Sequence, residues 1–170
     1  MPTGLKQSSS VVSIGFSTTE TAANTFTQGS VDLNLSPLDR EVFVVLAVNL
    51  DPSTPDALAG TDTNVTSSLT TTSQTGVTNL ANSNCLAAAT NVIRAAGFVD
   101  GGVSFQSLGA ETPPSNLEYI GIIATNDFFV QIKGTGNAAA KRIDGKLYGY
   151  RAVASADIYA ALVQSEVLSA

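Results

Sequence analysis

Residues 41–50, EVFVVLAVNL, constrain the fold of this chain more than any other segment. Four valines and a phenylalanine in ten residues favour extended backbone, and Asp51-Pro52 closes the run before a helix could lengthen. A strand with one wet face alternates apolar and polar residues. A nearly continuous apolar strand is buried on both faces. The segment is therefore expected to be a central strand, covered by a second layer of its own chain or by another subunit.

Most of the remaining pattern has period two. Phe26, Val31, Leu33 and Leu35 share a face, with Gly29 as a bend and Pro37 as a stop. The Thr-rich stretch 63–72 suits an exposed or edge strand running into a turn at 73–76. Then Leu80, Ala81, Ala87, Ala88, Val92, Ile93, Ala95 and Ala96 return at helical spacing. Thr78 or Asn79 can cap the start and Gly97 can end it, which predicts a helix over 79–96. Strands resume at 103–106, 117–124 and 127–133, and a Gly-Thr-Gly-Asn turn at 134–137 leads to a strand over 140–153. In that last strand Leu147 and Gly149 face one way, Tyr148 and Tyr150 the other. Ser155 is placed to cap a terminal helix striped by Ile158, Leu162, Val163 and Val167.

Seven or eight strands with no βαβ unit and no internal repeat predict a mainly β chain. The expected form is an antiparallel β-sandwich or distorted barrel, jelly-roll-like arrangements included, with one internal helix and a short C-terminal helix. At 170 residues and 17.4 kDa the chain suits one domain, assigned to 26–170. Residues 1–25 are Ser/Thr-rich around a small apolar knot of Val11, Val12, Ile14 and Phe16. Such a terminus is ordered only when tied down, by its own domain or by a neighbour. An arm ordered by contacts between subunits is the reading adopted.

The chain has no histidine and a single cysteine, Cys85. This removes imidazole acid–base chemistry, Ser-His and Cys-His dyads, cysteine zinc knuckles and an intrachain disulfide. Cys85, within an Ala-rich run, reads as a small buried hydrophobe. Gly134 and Gly136 belong to a turn and not to a phosphate loop. Asp51, Asp56 and Asp62 share one loop and could offer oxygen ligands to Ca²⁺, but their spacing is not that of an EF-hand and ordinary loop aspartates explain them. Glu111 and Glu118 flank Pro113-Pro114, and nothing in the sequence sets them across a cleft. No catalytic residue, cofactor or resident metal is assigned. The N-terminal segment does not read as a secretory signal, and no apolar run reaches the ~20 residues that span a bilayer.

Charged residues make up only 13% of the chain, and the net charge is −6. Through residue 132 three cations face eleven carboxylates, whereas 133–151 holds Lys133, Lys141, Arg142, Lys146 and Arg151 against Asp144 alone. The acidic remainder speaks against direct nucleic-acid binding. A surface of hydroxyls and amides loses its water more cheaply than one of charges, which suits contact between subunits. The candidate interface residues are Val11, Val12, Ile14 and Phe16 on the arm, with Arg142, Lys146, Tyr148, Tyr150 and Arg151 on the 140–153 strand. Its alternative is a solvated basic strand.

No motif identifies a family. In texture, being hydroxyl-rich, sparsely charged, without a signal peptide and running from an initiator methionine, the chain resembles particle and shell proteins of viruses and phages. That resemblance implies a capsid, cement or tail-tube subunit made in the host cytoplasm and located in the virion. Its partners would be copies of itself and other virion proteins, with no membrane. A pilus, surface-layer or adhesin module at a cell surface shares the same polar composition. A carbohydrate- or peptide-binding sandwich would instead show a concave patch lined by Tyr119, Tyr148 or Tyr150.

Overall fold

The computed structural model describes residues 2–109 and 117–169, and the structural statements below concern those residues. In chain order they form β1 (Leu5–Gln7), β2 (Val12–Thr19), β3 (Thr27–Asp32), β4 (Glu41–Pro52), β5 (Thr63–Thr70), β6 (Cys85–Arg94), β7 (Val103–Gly109), β8 (Gly121–Ile123), β9 (Asp127–Thr135), β10 (Arg142–Ala154) and α1 (Ala156–Leu168).

Two antiparallel sheets result. In the first, β4 and β10 are central; β8 borders β4, while β1 and β2 lie end to end along the outer side of β10. The second runs β3-β9-β5-β6-β7. The pairing is nested: β2 with β10, β3 with β9, β4 with β8, β5 with β6. An antiparallel ribbon whose first strand meets its last, folded over into two four-stranded sheets, is a jelly roll. Here β7 is added as a fifth strand of the second sheet.

The main core fills the space between the sheets, from Phe43, Val45 and Leu147 on one side to Leu69, Phe128 and Ile132 on the other. A second core lies on the outer face of the first sheet. There Val42, Val44, Tyr150 and Ala152 are covered by Ile158, Tyr159, Leu162 and Val163 of α1. The double burial expected of 41–50 is thus met within the chain. Between Tyr148 and Gly149 the register slips, pairing them with Ala47 and Val45, so that Leu46 is an extra residue. This bulge returns Val48 and Leu50 to the inner core after Phe43 and Val45.

Gly149 is required by close approach. A Cβ there would overlap the Val44 carbonyl oxygen and the Phe43 ring, which lies across the position. Gly149→Ala is expected to destabilise the domain by about 2 kcal/mol, the usual cost of overpacking a filled core. Chemical denaturation at equilibrium checks this; an unchanged midpoint would mean that the ring has room to move.

Three expectations are corrected. The Thr-rich stretch expected at an exposed or edge position is β5, an interior strand held between β6 and β9 with most of its residues buried. The helix over 79–96 is a pair of asparagine-nucleated turns followed by β6. The amides of Ala81 and Asn84 donate to the side chains of Asn79 and Asn82, so the capping chemistry is real but starts turns. From Cys85 onward β6 is held between β5 and β7. Alanine suits a helix, but Thr90, Val92 and Ile93 do not, and the flanking strands need ladder partners. Gly97 does adopt the left-handed conformation, φ 90°, turning the chain after a strand and not a helix. The third correction concerns residues 1–25, expected to form an arm ordered by contacts between subunits: β1 and β2 pair with β10 of their own chain, so the first sheet runs across the expected boundary at residue 26. The terminal helix forms with Ser155 at its N-cap position, but the Ser155 side chain makes no capping hydrogen bond and Val167 is exposed.

Candidate interaction surface

The nine residues proposed from sequence do not share one surface. Val11 and Val12 are exposed at the outer edge of the first sheet. Ile14 and Phe16 instead turn inward against the main core, and Phe16 meets Phe128 edge to face, with ring centroids 5.7 Å apart at 75°. Tyr148 and Tyr150 do face away from Leu147, as the alternation requires, but α1 covers Tyr150 and leaves it 7% exposed. Burial raises its phenol pKa, and the Glu118 carboxylate acts in the same direction. Tyr150 is thus withdrawn beneath α1, and Ile14 and Phe16 keep only part of their surface exposed.

The basic strip is largely neutralised within the chain. Arg142 pairs with Asp144 at 2.8 Å. Arg151 pairs with Glu41 at 3.2 Å and donates to the Leu33 and Asn34 carbonyls, joining β10 to the β3–β4 connection. Lys141 is buried against Asp56. Lys146 remains exposed, as does Lys133. Asp144 belongs to the strip itself, whereas Glu41 and Asp56 stand on β4 and the loop after it, which the jelly roll brings alongside.

The loops at one end of the sandwich are tied by buried polar groups that no local motif announces. Glu20 accepts from the amides of Gly134 (2.6 Å) and Lys141 (2.8 Å). The Asn137 amide N–H donates to Asn24 Oδ1, its carbonyl accepts from Asn24 Nδ2, and its side chain accepts from the Asp56 amide while donating to the Asn64 carbonyl. Asp56 accepts from Lys141 Nζ at 2.5 Å and from the amides of Ala138 and Ala139. The Lys141 bond, with those amides, holds the Asp56 carboxyl below its ordinary range against an opposing desolvation.

A depressed carboxyl pKa stabilises the fold above the unfolded value of about 3.9, and that contribution is lost as pH falls through the folded value. Asp56→Asn should accordingly lower Tm by about 3–6 °C at pH 7, the equivalent of one hydrogen bond to a charged group. The gap between wild type and variant should narrow as pH falls below the unfolded value and through the lowered folded one. Thermal unfolding followed across pH checks both; a gap independent of pH would remove the charge from the explanation.

Other candidates disperse. Asp62 accepts from the amides of Ala95 and Ala96 and from Arg94, away from Asp56, while Asp51 stands opposite Asp144 in the β4–β10 ladder. Among the described residues no group of three or more metal-binding side chains gathers. The Cys85 thiol is buried, and desolvation raises its pKa. The Glu111–Glu118 pair lies partly outside the described residues. Tyr119 packs beside the second core, so Tyr119, Tyr148 and Tyr150 form no open aromatic patch.

The surface feature that sequence reasoning passed over is at the opposite edge from Val11. Phe98, Val99, Val103 and Phe105 are exposed in and just before β7, Val99 to 89% and Phe105 to 58%. A cleft of about 310 Å³ opens beneath that strand, between Pro55, Ile93 and Gln106. The signal was legible as alternation at 103–106. It looked like an ordinary half-buried strand because nothing local reveals how wide the opposing sheet is.

No family model matches this chain, and no curated protein does. Among solved structures, a chain from Desmodium yellow mottle tymovirus matches at 13% identity, covering 92% of this chain and 95% of that one, with a TM-score of 0.29. A likeness of that size carries no argument, and the fold assignment rests on the strand order alone.

Proposed function

We propose that this chain is a structural subunit of a virus or phage particle, assembling with copies of itself. The observation that carries the reading is the nested strand pairing β2·β10, β3·β9, β4·β8, β5·β6. The jelly roll it defines is an architecture of viral shell domains, and also of lectins and cupins. Fold is analogy and not function, so the choice among these rests on side chains. A metal centre of imidazoles inside the barrel would need histidines, which this chain lacks. The concave patch of Tyr119, Tyr148 and Tyr150 expected of a sugar platform is not formed, since Tyr150 is beneath α1, and the exposed rings, Phe98 and Phe105, stand at a sheet edge without a tyrosine hydroxyl. A hydroxyl-rich exterior with few charges remains, and it favours broad contact with other subunits. Within the particle, the jelly roll favours a capsid or cement subunit over a tail tube. No helix among the described residues is long and apolar enough to cross a membrane.

Sedimentation velocity of the purified chain over a wide concentration range, with electron microscopy of the fast fraction, tests the proposal. Rings, shells or other closed oligomers are expected. A monomer that persists at the highest concentration overturns it.

A further inference from the structure

The two long sides of the sandwich differ. On one side the outer strands of the two sheets meet: β2 lies against β3, and a Cβ on Gly29 would overlap the Thr18 hydroxyl. On the other, the first sheet ends in β8, only three residues long, while the second continues through β6 to β7. The strand β7 therefore overhangs. Residues 103–107 are exposed on both faces, and among the described residues the strand pairs with β6 alone. Val103 and Phe105 stand on one face, opposite Arg94 and Val92, and Phe98 and Val99 precede them in the connecting loop.

Natural edge strands are normally blunted with lysine, proline or an inward charge, since a bare edge is a template for another strand. Residues 101–109 contain no Lys, Arg, Asp, Glu or Pro. We propose that β7 is a docking edge for β7 of a second copy, the two sheets joining into one across a two-fold axis. The proposal rests on the self-assembly reading above and names one of its contacts.

Charge selects the occupant. An antiparallel pair of identical strands sets each side chain against one from the same short sequence, so any charge near the axis meets its own kind and repels. A strand without charges escapes this, and it does so on a molecule whose net charge of −6 opposes self-contact elsewhere. With the axis at Ser104, Phe105 of each copy faces Val103 of the other on a single face, giving two aromatic–β-branched cross-strand pairs. Such a contact is isologous and closes on itself. Main-chain bonds supply the joining, and the neighbouring Phe98 and Val99 supply apolar area that would otherwise stay wet.

Two variants of the full chain test this. Phe105→Lys puts two like charges beside the axis at an exposed site, so folding should be retained by circular dichroism while self-association weakens about tenfold or more. Ser104→Cys places two thiols across the axis, at Cα separations of about 4.5–5.5 Å that a disulfide can bridge. Oxidation should then give a covalent dimer, with wild type, whose thiol is buried, as the control. If Phe105→Lys associates like wild type, or if Ser104→Cys fails to cross-link where wild type associates, the β7 contact is wrong and the subunit reading stands. If Phe105→Lys leaves self-association intact but abolishes co-assembly with a different protein, the edge serves that protein and the proposal is overturned. If wild type never leaves the monomer, the subunit reading itself falls.

Discussion

Deleting residues 2–20 is expected to abolish the cooperative unfolding transition of this domain, not merely its assembly. The deletion strips β10 of β1 and β2, its partners along one side from Arg142 to Gly149 and again from Ala152 to Ala154. It removes Ile14 and Phe16 from the main core and Leu5 from the second. Each such side chain contributes up to about 1.5–3 kcal/mol when fully buried. It also removes Glu20, leaving the buried amides of Gly134 and Lys141 without their acceptor at about 1–3 kcal/mol each. Together these losses match the about 5–15 kcal/mol that holds a typical domain folded. Thermal unfolding and near-ultraviolet dichroism of the truncated chain check this. A sharp transition near the wild-type Tm, with assembly alone lost, would show that the segment is an exchangeable arm and that its place in the sheet can be left empty.

The same segment shows where sequence reading stops. Strands β4, β9 and β10 were legible because their own residues carry enough β-branched and apolar content to specify both conformation and burial. The C-terminal helix was legible from its change of period. The first twenty residues carry one short apolar knot among serines and threonines, and their order comes from β10, more than a hundred residues away. No local pattern encodes that partner. The 85–94 stretch failed for the opposite reason: alanine satisfies either period, so Ala87 and Ala89 facing the core left no trace that a helix would not leave too. Charge was visible as an asymmetry, but its use was not. That Lys141 and Arg151 are held by Asp56 and Glu41 depends on which strands become neighbours. The same holds for β7, whose exposure is decided by the narrowness of the facing sheet.

Glu166→Ala is expected to cost about 3 kcal/mol, an effect far larger than its position suggests. A carboxylate in the last turn of a helix opposes the helix dipole by about 0.3–1 kcal/mol, so by sequence alone Glu166 belongs on a wet surface. It is buried instead, and its oxygens accept from the Ala124 amide at 2.9 Å, the Thr125 amide at 3.3 Å and the Thr125 hydroxyl at 2.6 Å. These bonds fasten the end of α1 to the β8–β9 connection, and α1 in turn is what covers Val42, Val44 and Tyr150. Truncation leaves the buried Ala124 amide unpaired and frees the helix end. Tm should fall by roughly 6–12 °C for a chain of this size. Hydrogen exchange should quicken in α1 and around Ala124 ahead of β5 and β9, and the Tyr150 phenol should titrate nearer its ordinary value of about 10 as its cover loosens. Glu166→Gln keeps one acceptor oxygen but turns an amide N–H₂ toward donors, so an intermediate loss is expected. A Glu166→Ala chain with wild-type Tm and unchanged exchange in α1 would mean that apolar packing alone seats the helix, and that the carboxylate is carried there without holding anything.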